Sequence, residues 1–289
     1  MNVAEREEAT GGAEDDADQA ASTAGVPRRR RWRGGRTLRD GRRLYWWVEL
    51  LAAGVFYEVY SFVRNLHHST PAEARGNALD IIRWEKSIGI FHEQAVQAWA
   101  MGWHAGIVAA NYFYGSLHFI VTIGVMIFLY RKWTDDYPLW RNTLAIGTAL
   151  ALIGFAFFPL APPRMFDGTT FHLNLHFVDT LANDPAFWSF NEGAMKKISN
   201  QFAAMPSVHC AWAGWCACAL VPRLRHVWAK ALAILYPVTT VTVIVVTANH
   251  WFLDAVGGFV VLSVGYGLAR LVTKAGRGPA IDVRDPATA

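Results

Sequence analysis

The chain has 289 residues, of which 53% are hydrophobic and 17% charged. Its apolar residues come in long runs without strand-like alternation, which excludes an ordinary soluble domain built around one core. The net charge is +4, and nine arginines gather in a single arm, residues 28–43, against the one acid Asp40.

Residues 1–24 are acidic, rich in Ala, Gly, Asp and Glu, and lack any apolar period, so they read as a solvated, disordered tail. The arginine arm that follows could in principle hold nucleic acid. Directly ahead of an apolar run it reads instead as a topology signal and a contact for anionic lipid, so no nucleic-acid partner is expected. That first run lies too deep in the chain and is too long, without an A-x-A-like site, for a cleaved signal peptide.

Apolar runs cover residues 44–66, 106–130, 140–160, 205–221, 227–247 and 251–272, each near the ~20 residues that cross a bilayer. Lipid offers the backbone no hydrogen-bond partner, so helices are the expected spanning form. The fold class is therefore an all-α polytopic membrane protein with six transmembrane helices. Residues 44–272 form the membrane domain, between disordered tails at 1–43, acidic and then arginine-rich, and at 273–289. Oligomeric state is left open by the sequence.

With a cytoplasmic N-terminus, the positive-inside rule orders the loops. Cytoplasmic segments then hold the arginine arm, Arg131, Lys132 and Arg141, then Arg223, Arg225 and Lys230, then Arg270, Lys274, Arg277 and Arg284. Both termini are cytoplasmic in this arrangement, and the setting is a plasma membrane.

Between the first two runs, residues 77–103 carry Ile81, Ile82, Ile88, Ile90 and Phe91 among Asp80, Glu85, Lys86 and Glu93. This is an amphipathic helix on the outer interface, a loop, or a segment packed on the bundle. Within the runs, Glu49, Glu58 and His118 are costly unless they face the interior or a wet cavity. Glu49 is expected to reach headgroups. His118 either lines a substrate cavity or is a hydrogen-bonded packing residue. Cys210, Cys216 and Cys218 read as small packing residues, and no Cys/His/Asp cluster has metal-ligand spacing. Residues 165–202 form a polar loop long enough to cover a site.

Two stretches carry chemistry. In Pro206-Ser207-Val208-His209, proline suits a helix's first turn, and the unpaired N–H groups beyond it suit a phosphate. In His250-Trp251-Phe252-Leu253-Asp254, an i,i+4 spacing puts carboxylate and imidazole on one face if the helix starts at His250. The carboxylate can then fix the tautomer of a nucleophilic histidine. The charge-derived topology places both stretches, and Arg164, at the extracytoplasmic end.

These residues resemble the second and third signature motifs of the type 2 phosphatidic acid phosphatase superfamily, Pro-Ser-x-His and His-x-x-x-Asp. The fuller forms, Ala-Ala-Met-Pro-Ser-x-His and Asn-His-x-x-x-Asp, are similar to the branch that includes inositol-phosphorylceramide synthase. Of the first motif, Pro162-Pro163-Arg164 retains the arginine, while Phe157 and Met165 stand where lysine and proline are expected. Ile244 replaces the third motif's arginine. The resemblance implies a metal-independent enzyme without a cofactor, acting on a membrane lipid by way of a phosphohistidine. It implies catalytic roles for His250, His209 and Asp254, with Arg164 and Ser207 on the phosphate. The missing cations point to an inositolphosphotransferase-like enzyme, with a lipid or polyprenyl phosphate phosphatase as the alternative. His118, Arg64, Lys196 and Lys197 are further residues expected near the substrate.

Overall fold

The computed structural model describes residues 35–66, 70–169, 174–183 and 201–275. It is mostly helical. A small antiparallel hairpin, β1 (Gly35–Thr37) and β2 (Arg43–Tyr45), pairs Arg36 with Leu44 and precedes α1 (Trp46–Leu66). Thus the last part of the arginine arm is folded. Arg36 Nη1 donates to the Arg131 carbonyl at 2.7 Å, and Arg39 pairs with Asp135 at 3.2 Å.

The remaining helices are α2 (Pro71–Ser87), α3 (Glu93–Ala100), α4 (His104–Lys132), α5 (Tyr137–Phe157), the short α6 (Thr180–Asn183), α7 (Val208–Leu220), α8 (Val227–Val246) and α9 (Phe252–Ala275). Four of them, α4, α5, α8 and α9, are long and apolar enough to cross a membrane. The expected count of six is not reached on those terms, for two separate reasons. Helix α1 has 21 residues but carries Glu49, Glu58 and Arg64. Helix α7 is apolar but has 13 residues, about 20 Å at ~1.5 Å per residue.

Helix α7 touches α4, α5, α8 and α9. Its sequence explains this central place: Cys, Ala and Gly on several sides let neighbouring backbones approach, which is how helices pack without a solvent-driven force. Trp215 is its large anchor, fully buried, with Nε1 donating to the Trp140 carbonyl at 2.8 Å. Helices α5 and α9 meet at glycines. A Cβ on Gly265 would stand 2.9 Å from the backbone of Gly147.

Residues 77–103 are helical over most of their length, in α2 and α3, and these helices pack on the bundle. Ala74, Ala78, Ile81 and Ile82 form a core with Leu160, Phe166, Phe177 and Trp251. Trp84, Trp99 and Trp103 remain exposed, as aromatic side chains at a membrane–water interface do. Glu49 does not reach outward as expected. It accepts from Arg141 at 2.7 Å and from the Tyr137 hydroxyl at 3.1 Å.

Candidate active site

The turn between α8 and α9 is the centre of the site. Ala248 takes the left-handed conformation (φ 53°), which folds the chain back on itself. The N–H groups of Asn249 and His250 both donate to the Ile244 carbonyl, at 3.0 and 3.2 Å. Because α9 begins at Phe252, His250 lies outside the helix, and the pair does not meet along a shared helical face as expected. Asp254, at the third helical position, instead reaches back to the Trp251 N–H at 2.9 Å, one half of a capping box. The same oxygen, Oδ2, stands 3.2 Å from His250 Nδ1.

A second acceptor shares that nitrogen. The Ala204 carbonyl lies 2.9 Å from His250 Nδ1. With a carboxylate and a carbonyl both facing it, Nδ1 carries the proton, and Nε2 keeps its lone pair. Asp254 is fully buried, and its backbone carbonyl accepts from the Ser207 N–H at 2.9 Å, tying the start of α7 to the start of α9.

Ser207 caps α7, its Oγ accepting from the Cys210 N–H at 3.4 Å. Pro206 therefore precedes the cap and does not sit in the first turn. Its ring fills the space beside Gly154, where a Cβ would meet Cδ at 2.4 Å. Helical pairing begins at Cys210 and Ala211, which leaves the Val208 and His209 N–H groups ahead of the first helical bonds.

The ring of His209 stacks on Tyr114 with centroids 4.3 Å apart, lies 4.3 Å from His118 and stands 5.6 Å from His250. Tyr114 is presented by a π-helical turn, Phe113–Leu117, inside α4. Such turns recur at functional sites. His118 follows that turn, its Nδ1 held 3.0 Å from the Tyr114 carbonyl. It is hydrogen-bonded, and its ring is set against His209.

Arg164 comes from a 3₁₀ turn, Pro163–Met165, whose backbone N–H donates to the Ala248 carbonyl at 2.8 Å. Its Nη1 reaches Asn249 Oδ1 at 3.2 Å, and its buried Nε has no hydrogen-bond partner among the described residues. Lys196, Lys197 and the Arg64 side chain lie outside the described residues. Neither position of the two absent cations brings charge to the site: Phe157 is 79% exposed and Ile244 is buried. Among the described residues no group of three or more His, Cys, Asp or Glu is placed to hold a metal ion.

The segment before α6 is pinned over this end of the bundle. Gln97 binds the Val178 N–H and carbonyl at 3.0 and 2.8 Å, and Asn111 makes two bonds to Thr180. Tyr114 was not singled out from sequence, and Asn249 and Ala204 entered only as letters of the fuller motifs, with no role of their own. Each acts through a backbone turn or a ring contact that residue type alone does not announce. Nor were Glu85 and Glu93, which bind the first N–H groups of α9.

A family model described as the PAP2 superfamily matches residues 79–268. The chain belongs to that superfamily. No curated protein and no solved structure gave a significant match. Membership in the PAP2 superfamily supports a phosphatase or phosphotransferase acting on lipid phosphates, and the apolar helices fit a membrane protein.

Proposed function

We propose that this PAP2 superfamily member is an inositolphosphotransferase-like enzyme that moves a phospho-group from a phospholipid to a lipid alcohol by way of His250. The observation that carries the reading is the double restraint on His250 Nδ1, by Asp254 at 3.2 Å and the Ala204 carbonyl at 2.9 Å. It leaves Nε2 as the nucleophile. That nitrogen bonds to phosphorus as the bond to the leaving oxygen breaks, and His209 gives its proton to that oxygen. In the second half His209 takes the proton of the acceptor hydroxyl, whose oxygen bonds to phosphorus as the nitrogen–phosphorus bond breaks. Asp254 balances the charge on the imidazole ring. No metal or cofactor enters this scheme.

Arg164, the Ser207 hydroxyl and the Val208 and His209 N–H groups would meet charge on the equatorial oxygens. A phosphate oxygen would satisfy the buried Arg164 Nε–H. Arg164→Ala is expected to lower kcat about 10²- to 10³-fold, and Arg164→Lys to recover only part, since lysine lacks the planar fork. Steady-state kinetics in detergent check this. Equal activity in the alanine variant would remove Arg164 from the site.

The choice of a diester donor follows from charge. With the apolar Phe157 exposed and the apolar Ile244 buried, the pocket is better matched to a singly charged phosphodiester than to a dianionic monoester. Purified enzyme should be given phosphatidylinositol with and without a long-chain alcohol, and separately phosphatidic acid or a polyprenyl phosphate. An acceptor-dependent phosphoinositol product is expected. Rapid phosphate release from a monoester with no such product would leave the phosphatase reading in its place.

For the topology we propose six crossings, with α1 and the short α7 completing the four long apolar helices, the site extracytoplasmic and both termini cytoplasmic. Support comes from Arg141, Arg223 and Arg39, which bind Glu49, Asp136 and Asp135 at the end of the bundle away from His250. In a Cys218→Ser background, a thiol introduced at the exposed Asn174 in spheroplasts should react with an impermeant maleimide, and one at the N-terminus should not. The reverse pattern inverts the orientation.

A further inference from the structure

The first turn of any helix leaves N–H groups without helical partners, and at α9 these lie beside the nucleophile. Two of them are met by acids from elsewhere in the chain. Glu85 Oε1 accepts from the Leu253 N–H at 2.8 Å and Glu93 Oε1 from the Phe252 N–H at 3.0 Å. Both side chains are completely buried. Oε2 of each is buried as well and meets no donor from any described residue. Held on the N–H groups of adjacent residues, the two buried carboxyl groups lie side by side.

Two carboxylate oxygens are both acceptors, so such a contact needs a proton between them. Two ionised acids buried together would also repel strongly. We infer that Glu85 and Glu93 hold one proton in common, and that the singly charged pair is a positioning device for the His250–Asp254 unit. The pair clamps Phe252 and Leu253, the residues between His250 and Asp254, from two different helices. Asp254 in turn takes the Trp251 N–H, so three successive N–H groups at the head of α9 each go to a carboxylate. This sets the rotation of the turn and hence the reach of Asp254 to Nδ1. The positioning role rests on His250 as nucleophile; the common proton does not.

Burial, and then Glu93, push the Glu85 carboxyl up to about 9. The charged groups that act on it are Glu93 from α3 and Asp254 from α9. A carboxyl raised in this way contributes stability that is full below the ordinary carboxylate range and is lost as pH rises toward about 9.

Glutamine makes the test specific. In Glu85→Gln the amide oxygen still accepts from Leu253, and the amide N–H₂ replaces the common proton in front of an ionised Glu93. Glu93→Gln does the same in mirror image. In Glu85→Gln/Glu93→Gln two amide donors face each other with no acceptor.

With phosphatidylinositol in mixed micelles and a long-chain alcohol, each single variant should keep kcat within about threefold, because every buried group remains paired. The double variant should lose about a hundredfold in kcat with KM little changed, as misplacement of a catalytic group does. Melting followed by tryptophan fluorescence, in detergent from pH 5 to 9, reads the proton without any substrate. The midpoint of Glu85→Gln should rise relative to the unmodified protein across that range, since it has no such proton to lose, while Asp254 is common to both. A midpoint difference that stays flat with pH would reject the common proton, even if the double variant fails to fold. Single variants as impaired as the double would also reject it. A double variant with full kcat would reject the positioning role while leaving the thermal result intact.

Discussion

His250→Ala is expected to lower kcat by more than about 10⁴-fold while the protein keeps its fold, because it removes the nitrogen that bonds to phosphorus. His209→Ala should fall nearly as far, and the two together should cost little more than either, since nucleophile and proton carrier act as one unit. Asp254→Asn is a different case. In a triad the matching change works largely by selecting the wrong tautomer. Here the Ala204 carbonyl holds Nδ1 at the shorter distance, 2.9 Å against 3.2 Å. The tautomer therefore survives, and the expected loss is about 10²- to 10³-fold, reflecting missing charge alone. An Asp254→Asn loss as deep as that of His250→Ala would mean that the carboxylate sets the tautomer by itself.

The second large effect is expected at a residue that has no side chain. Gly258 lies nearly two turns into α9, where a Cβ would stand 2.4 Å from the Ser207 carbonyl and 3.1 Å from Cys210 Cβ. The obstacle is backbone, at the residue that caps α7 and whose N–H binds Asp254. Gly258→Ala should force the two helices apart at a cost of about 1–3 kcal/mol or more. Activity should drop with it, since Ser207 and His209 shift away from His250. Gly267, about two turns from the end of the same helix, has nothing within 4 Å of the corresponding Cβ, and Gly267→Ala should melt no lower than the unmodified protein. Thermal midpoints and kcat of the two variants make the comparison. Equal midpoints would mean that α7 and α9 do not rely on this close approach.

Much of the helical layout was legible because apolar runs in a membrane chain are long and local. The run at residues 227–247 becomes Val227–Val246, and that at 251–272 becomes Phe252–Ala275. The ends were less legible. His250 and Asp254 do come together, but through a left-handed residue at Ala248 and a back-reaching cap, not the helical face that their spacing suggested. Local spacing reports separation along the chain, and two geometries can satisfy the same separation. The β1–β2 hairpin was hidden by its arginines, which composition alone assigns to a disordered tail. Glu85 and Glu93 looked like the polar side of an amphipathic segment. Their partners, Leu253 and Phe252, lie 168 and 159 residues away, a distance at which no periodicity carries information.

The central claim is that phosphorus passes through His250. Enzyme mixed with phosphatidylinositol labelled in its phosphate, quenched within milliseconds at alkaline pH and digested with trypsin, separates the candidates cleanly. Cleavage after Lys230 and Arg270 isolates His250, and cleavage after Lys197 and Arg223 isolates His209. The account predicts acid-labile label on the 231–270 peptide, absent from His250→Ala. Label on the 198–223 peptide, or complete turnover with no label on the protein, would contradict it.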